Sequence, residues 1–403
     1  MTLEARKGVL RLEAGATARE QLDFRPRALV LWWCQERAGG CAGGIGFATD
    51  GGGDASAGWA ADDSLAPGVL SRWGAEASLL FHADPRTPSA SIRGHVHVAD
   101  RGFSVECDRD LEQPWLVHYL AMGGAAVQGA AVRSFVLGAT GDRAVTGLGF
   151  TPGVVLAALG AGSTAGEPQS GLAVGFGAAA RQSDQVASGF ASHVDAGGTI
   201  ARGAQCTNAI AVLPAAVSSG EIAALSRIVS FDPDGFTLET TRLTSELPLA
   251  VLALEGGNFK VGLGTASSRA TAVGFELAGA LLFGTGLDAM SHARDIGRLC
   301  VGGFSRDQRA GCVSWSTRRR GAWPPAPRSR STTEAVFEVV DTTPGGLHAR
   351  ATLSGLGRRR FSLNWVRDRP PRDFGYVAFG TRLGKRTLRE RLRLLGRGGS
   401  LRE

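Results

Sequence analysis

Short apolar runs recur along the chain at Ala28–Trp33, Trp115–Ala121, Val154–Leu159, Leu249–Leu254 and Ala280–Phe283, each bounded by Gly, Pro, Asp or Ser. Runs of this length with such punctuation predict strands buried in a sandwich or barrel. Ile92-Arg93-Gly94-His95-Val96-His97-Val98 alternates with period two, the pattern of a half-buried antiparallel strand. Asp232-Pro233-Asp234-Gly235 before Phe236 predicts a hairpin turn, because Gly accepts the positive φ that the hairpin twist requires. Helical signal is scarce, and its best instance is Ser219–Leu225. Near the end, Leu388, Leu392 and Leu395 stand at i, i+4 and i+7 while Arg386, Arg389 and Arg393 fill the other side, which predicts a basic amphipathic helix.

The strand phrases repeat. Phe24-Arg25-Pro26-Arg27-Ala28-Leu29-Val30-Leu31, Phe150-Thr151-Pro152-Gly153-Val154-Val155-Leu156 and Phe275-Glu276-Leu277-Ala278-Gly279-Ala280-Leu281-Leu282 are versions of one phrase. Other phrases recur in the same order, which chance does not produce. Ile45-Gly46-Phe47 aligns with Val174-Gly175-Phe176 and Gly302-Gly303-Phe304. Arg101-Gly102-Phe103 aligns with Asp234-Gly235-Phe236 and Gly345-Gly346-Leu347, and Tyr119–Gly123 with Val251–Leu254 and Tyr376–Gly380. The predicted fold class is all-β: three tandem homologous antiparallel β-sandwich domains, jelly-roll-like, over 1–135, 136–263 and 264–380, and a basic tail over 381–403. Units of this size can each bury a core. Three fused copies can stand in for a trimer, as a ring about a pseudo-three-fold or as a rod.

Composition adds the location of charge. The net charge is +7, and much of the Arg lies in the third unit and the tail, so the basic character belongs to a local surface. The first residues, Met1–Leu10, lack the apolar run of a secretory leader, and no apolar span is long enough to cross a bilayer, so the expectation is synthesis in a cytoplasm without membrane insertion. The six cysteines match no zinc spacing and read mostly as buried small hydrophobes in a reducing compartment; Cys300 and Cys312, flanking the turn at Arg306-Asp307-Gln308, are the one pair able to face each other if any disulfide exists.

Candidate chemistry is thin. His95 and His97 share one face of a strand, as two metal ligands would, but no Cys or carboxylate completes a set, so no metal is expected. The pairs Asp232/Asp234 and Asp108/Asp110 read as loop charges. Gly147-Leu148-Gly149-Phe150-Thr151-Pro152-Gly153 precedes a strand, whereas a dinucleotide loop follows one. No catalytic residue and no cofactor is predicted. Trp59, Phe190 and Trp315 fall at one repeated position, which marks them as core. The loop carrying Arg318, Arg319, Arg320 and Trp323 has no counterpart in the other copies, and with Arg386, Leu388, Arg389, Leu392, Arg393 and Leu395 of the tail it is the predicted partner-binding surface.

The phrase Gly-Phe-x-Pro-x-Ala-Val-Leu with its trailing Leu-Ala-x-Gly-Gly resembles repeats in virion accessory proteins of tailed phages from high-G+C hosts. The resemblance covers residues from about 15 to 380. It implies a head decoration, tail or baseplate role in a virion, other structural proteins of a large particle as partners, and a homo-oligomer or symmetric array. The second reading is a multivalent carbohydrate-binding protein in which linked weak sites hold a cell-surface glycan. It requires equivalent loops with equivalent residues in each copy, and the loops differ.

Overall fold

The structure, a computed structural model, describes the chain except residues 14, 16, 38–39, 63–68, 75–76, 83–90, 112, 161–168, 171, 196–197, 216–220, 269, 288–291, 295, 319–327, 341–345, 367–372 and 382–403. The described residues are all-β. A first set of strands is β1 (Glu4–Leu12), β2 (Ala18–Gln21), β3 (Pro26–Arg37), β4 (Gly40–Thr49), β5 (Asp54–Asp62), β6 (Val69–Gly74), β7 (Leu79–His82), β8 (Ser91–Ala99), β9 (Gly102–Cys107) and β10 (Trp115–Gly123). A second is β11 (Val127–Leu137), β12 (Gly141–Val145), β13 (Val154–Leu159), β14 (Gln169–Ser170), β15 (Leu172–Ala180), β16 (Gln185–Asp195), β17 (Gly198–Thr207), β18 (Ala211–Pro214), β19 (Ile222–Asp232), β20 (Gly235–Leu243) and β21 (Leu247–Gly256). The third is β22 (Asn258–Thr265), β23 (Thr271–Ala272), β24 (Glu276–Gly284), β25 (His292–Arg294), β26 (Ile296–Ser305), β27 (Ala310–Arg318), β28 (Arg328–Thr332), β29 (Phe337–Val340), β30 (Leu347–Gly357), β31 (Arg360–Val366) and β32 (Asp373–Thr381).

One pairing scheme serves all three sets. The large sheets run β1-β10-β3-β4-β5-β6, β11-β21-β13-β15-β16-β17 and β22-β32-β24-β26-β27-β28; the four-stranded sheets run β2-β9-β8-β7, β12-β20-β19-β18 and β23-β31-β30-β29. Each small sheet covers one face of its own large sheet, giving a β-sandwich-like core, such as Leu79, Ile92, Val96 and Phe103 against Leu29, Leu31 and Trp33. The opposite face of every large sheet is buried too. In β3, Leu29, Leu31 and Trp33 enter that inner core while Ala28, Val30 and Trp32 enter a central cluster. In β13, Val155, Ala157 and Leu159 divide from Val154, Leu156 and Ala158 in the same way. Burial on both faces is why these strands read as continuous apolar runs: period-two alternation of facing leaves no position for a polar side chain.

The central cluster joins all three sets in a closed ring. Trp59 meets Trp315 edge-on with centroids 5.9 Å apart, and Phe176 meets Phe283 at 5.0 Å. Each junction sets the first strand of one set against the hairpin between the fourth and fifth large-scheme strands of the set before it. Val132 lies against Gly53, the Val261 amide donates to Ser183 Oγ at 2.9 Å, and the Lys7 amide donates to Ser305 Oγ at 2.9 Å. Two junctions carry an added ladder, β14 on β6 and β25 on β17; at the third, β28 lies against β3.

The ladders fix which residues correspond. Met122, Leu254 and Phe379 pair with Ala28, Val154 and Gly279, which in turn pair with Thr49, Ala180 and Ser305. Gly46, Gly177 and Gly302 therefore share one position, and they share one reason for lacking a side chain. A Cβ there would collide with the carbonyl of Ser78, Ile210 or Val336, the residue just before β7, β18 or β29, the outermost strand of the small sheet in each set.

Several sequence expectations are corrected. The phrase match of Phe47, Phe176 and Phe304 slips by two residues in the second set and by one in the third. A one-residue slip reverses the face, so Phe304 packs in the inner core and not in the central cluster. The counterpart of Phe103 and Phe236 is Phe361 on β31, whereas Leu347 opens β30. Ile222–Leu225, expected to be helical, runs in β19 between β18 and β20, because cross-strand pairing overrides local helix propensity. The cuts expected after residues 135 and 263 fall within β11 and β22; the phrases begin at the third strand of each set and leave the first unmarked. Cys300 and Cys312 are close diagonal neighbours on β26 and β27, and both are buried free thiols, as the reading of the cysteines as small hydrophobes expects.

Candidate functional site

Of the predicted partner-binding residues, Arg318 ends β27, and Arg319, Arg320, Trp323, Arg386, Leu388, Arg389, Leu392, Arg393 and Leu395 lie outside the described residues. Trp59 and Trp315 are about 1% exposed, so neither offers a ring to a ligand. Trp365, half-buried, packs on Phe337 and Phe374. His95 Nδ1 donates to Asp54 Oδ2 at 3.2 Å and His97 pairs with Glu106 at 3.7 Å; no group of three metal-ligating side chains occurs among the described residues. Asp234 caps the Gly147 and Gly149 amides, which holds its carboxyl below the usual range.

The ring itself supplies the concave surfaces. Between the third and first sets lies a cleft of about 530 Å³, bounded by Glu4 and Arg6 of β1, Asp23 and Phe24 before β3, Glu276 of β24, and Arg306 and Asp307 of the hairpin after β26. Its cations are all met by carboxylates. Glu276 accepts from Arg306 at 2.5 Å and Arg358 at 3.0 Å, and Asp307 accepts from Arg6 at 2.9 Å and Arg309 at 3.2 Å. The Arg306 and Arg358 guanidiniums hold the Glu276 carboxyl below its ordinary value, while burial, aided by Asp23, raises that of Glu4.

The corresponding cleft between the second and third sets encloses about 1040 Å³. It is bounded by Asn258 and Lys260 of β22, Gly274 and Phe275 before β24, Thr151 before β13, Arg181 and Gln182 of the hairpin after β15, and Arg359 of the turn after β30. Lys260 Nζ donates to the Ala272 carbonyl at 2.8 Å.

Beneath the first of these clefts the seam between the third and first sets holds a buried polar cluster that no motif announced. Lys7 is about 1% exposed, and its Nζ donates to the Ala310 carbonyl at 2.7 Å. Burial pushes its amine down to about 8, and the Arg309 charge adds to this against the pull of Cys312 and Asp307. His118, fully buried, stacks on Trp32 at 5.9 Å and shares a 2.7 Å hydrogen bond between Nε2 and Ser331 Oγ. Burial, with the Lys7 charge second, holds its imidazole well below the ordinary histidine value. At the positions of Lys7 the other sets carry Val132 and Val261, and at those of His118 they carry Ala250 and Gly375. The only sequence signal was the rarity of Lys, three in the whole chain.

No protein-family model matches the chain, and no curated protein or solved structure matches it either.

Proposed function

We propose that the chain is a structural component of a large symmetric assembly, built as three tandem jelly-roll-like sandwich domains that together take the place of a trimer. The observation that supports this reading is the ring: the same strand meets the same hairpin at each of the three junctions, around one shared apolar cluster. Such an arrangement reproduces in one chain the heterologous interfaces of a closed cyclic trimer. It suits a three-fold or pseudo-three-fold position in a particle, and with the phage-like phrases it favours a virion accessory role in the head, tail or baseplate. The basic tail over 381–403 and the Arg318–Arg320 loop, where charge concentrates without a counterpart in the other copies, are the proposed anchor to the particle.

The test is native purification from the source followed by electron microscopy and mass measurement. The expected result is recovery in a megadalton particle with the ring on a symmetry axis, and loss of incorporation when residues 382–403 are deleted from a chain that still folds. Recovery as a monomer throughout, with retention on a glycan array, would favour the carbohydrate-binding reading.

A further inference from the structure

The two junction clefts are equivalent surfaces that keep the same cations and differ in their carboxylates. The ladders align Arg6 with Lys260, because Arg6 pairs with Ala121 as Lys260 pairs with Ala378; they align Arg306 with Arg181, since each follows the residue paired to Gly279 or Val154. The cations are thus kept. Every carboxylate of the seam cleft is lost at the corresponding place: Glu4 becomes Asn258, Asp23 becomes Gly274, Glu276 becomes Thr151 and Asp307 becomes Gln182. The third junction has dropped the cations instead, with Ala131 and Asp50 at those positions and Asp50 paired to Arg27 at 2.8 Å.

Arg181 and Lys260 therefore line a cleft of about 1040 Å³ without the counterions that their equivalents possess, and Arg359 joins them from the turn after β30. Among the described residues Arg181 and Arg359 make no side-chain ion pair, and the one bond from Lys260 Nζ goes to a carbonyl. Gln128, Gln182 and Asn258 line the same cleft and can serve the amides of an extended chain, while Phe259 and Phe275 give it an apolar wall. Glu255 also lines it and opposes a continuous run of phosphates.

The geometry points to this cleft, between the second and third sets, as a docking site for an acidic segment of a partner protein, with Arg181 and Lys260 receiving its carboxylates. A guanidinium and an ammonium bind carboxylates and phosphates alike, but a few cations beside Glu255 suit isolated carboxylates spaced along a peptide better than the unbroken charge of a nucleic-acid backbone. The inference rests on the reading of the chain as an assembly component and names the chemistry of one partner.

The experiment titrates the full chain into a fluorescein-labelled oligoglutamate peptide at low ionic strength and follows anisotropy, with a labelled single-stranded DNA of similar length as competitor. The wild type should bind the peptide. Arg181→Gln should weaken it about tenfold, the strength lost with one charged hydrogen bond. Arg181 is exposed and ties no side chain, so the variant should fold as the wild type does. Thr151→Glu with Gln182→Asp, which copies the seam cleft, should abolish binding, and Arg306→Gln in the seam cleft should leave it unchanged. Wild-type affinity in Arg181→Gln, no binding by the wild type, or full displacement by the DNA would overturn the proposal. Because the titration uses the isolated chain, any of those results leaves the ring and its place in a particle untouched, and a monomer that still binds the peptide would count against the assembly alone.

Discussion

The amine of Lys7 fills the space where Gly311 has no side chain. A Cβ on Gly311 would collide with Lys7 Nζ and sit 2.7 Å from His118 Nδ1. The ladders put Ala55 and Val186 at the corresponding places of the other sets, opposite Val132 and Val261. Three substitutions thus travel together at one junction: an apolar side chain became Lys, a small one became His, and the residue facing them lost its Cβ.

Gly311→Ala should therefore destabilise the protein by about 1–3 kcal/mol, the ordinary cost of overpacking. The triple variant Lys7→Val, His118→Ala, Gly311→Ala copies the junction of Val132, Ala250 and Ala55, and should recover the loss. Urea unfolding of the three proteins checks the pair of outcomes; a triple variant no more stable than Gly311→Ala alone would show that the seam does not accept the apolar solution.

The same cluster sets a pH dependence. Lys7 has a folded value of about 8, below its ordinary 10.5, so between these limits the unfolded chain binds the extra proton and stability rises with pH. His118, held well below 6.5, has the same sign at lower pH: stability falls as pH drops through about 6.5 and the unfolded chain alone gains a proton. The gain attributable to Lys7 from pH 8 to 9 should be about 1 kcal/mol and should vanish in Lys7→Met. Chemical denaturation of both proteins at the two pH values measures the difference, and equal slopes would dismiss Lys7 as its source.

Cys300 and Cys312 should resist alkylation in the folded protein. Both are buried, Cys312 by its surroundings held well above the ordinary thiol value, and only the thiolate reacts. Peptide mapping after brief iodoacetamide treatment should find them unmodified in native buffer and fully modified in denaturant. A linked Cys300–Cys312 peptide under non-reducing conditions would contradict the free thiols.

The strands were legible wherever both faces of a sheet are buried, since Ala28–Trp33 and Val154–Leu159 admit no polar residue. The repeated aromatic at Trp59, Phe190 and Trp315 was legible as core for the same reason, and all three lie in the central cluster. What failed was register. Gly-rich stretches such as Gly40–Gly46 and Gly302–Gly303 match one another at several offsets, and only the ladder decides among them. The repeated phrase also hides a difference in burial: Phe24 and Phe275 are buried while Phe150 is half-buried at the rim. Phe236→Ala should consequently cost about 3–5 kcal/mol and Phe150→Ala clearly less. The junction clefts left no trace in the sequence because their meaning lies in which charges are missing relative to an equivalent surface, and that equivalence appears only with the ring.

The ring also predicts that the chain can be cut elsewhere. At two junctions the last strand of one set passes directly to the first of the next, from Gly123 to Val127 and from Gly256 to Asn258. At the seam the same ends meet without a bond: the Leu3 amide donates to Thr381 Oγ1 at 2.8 Å, and Leu3 is buried over Gly257. A circular permutant that begins at Asn258, joins Thr381 to Leu3 through one or two added residues and ends at Gly256 should therefore keep every sheet and every junction. Its closure cost is small, because the joined ends are already in contact and loop entropy grows only slowly with length. The expected outcome is the same β-rich circular dichroism and a stability within about 1 kcal/mol of a chain truncated after Thr381. A rod of three independent units would fare differently, since the new bond would have to span the two far ends. Failure of the permutant to fold, while permutants cut within loops of a single set succeed, would reject the closed ring.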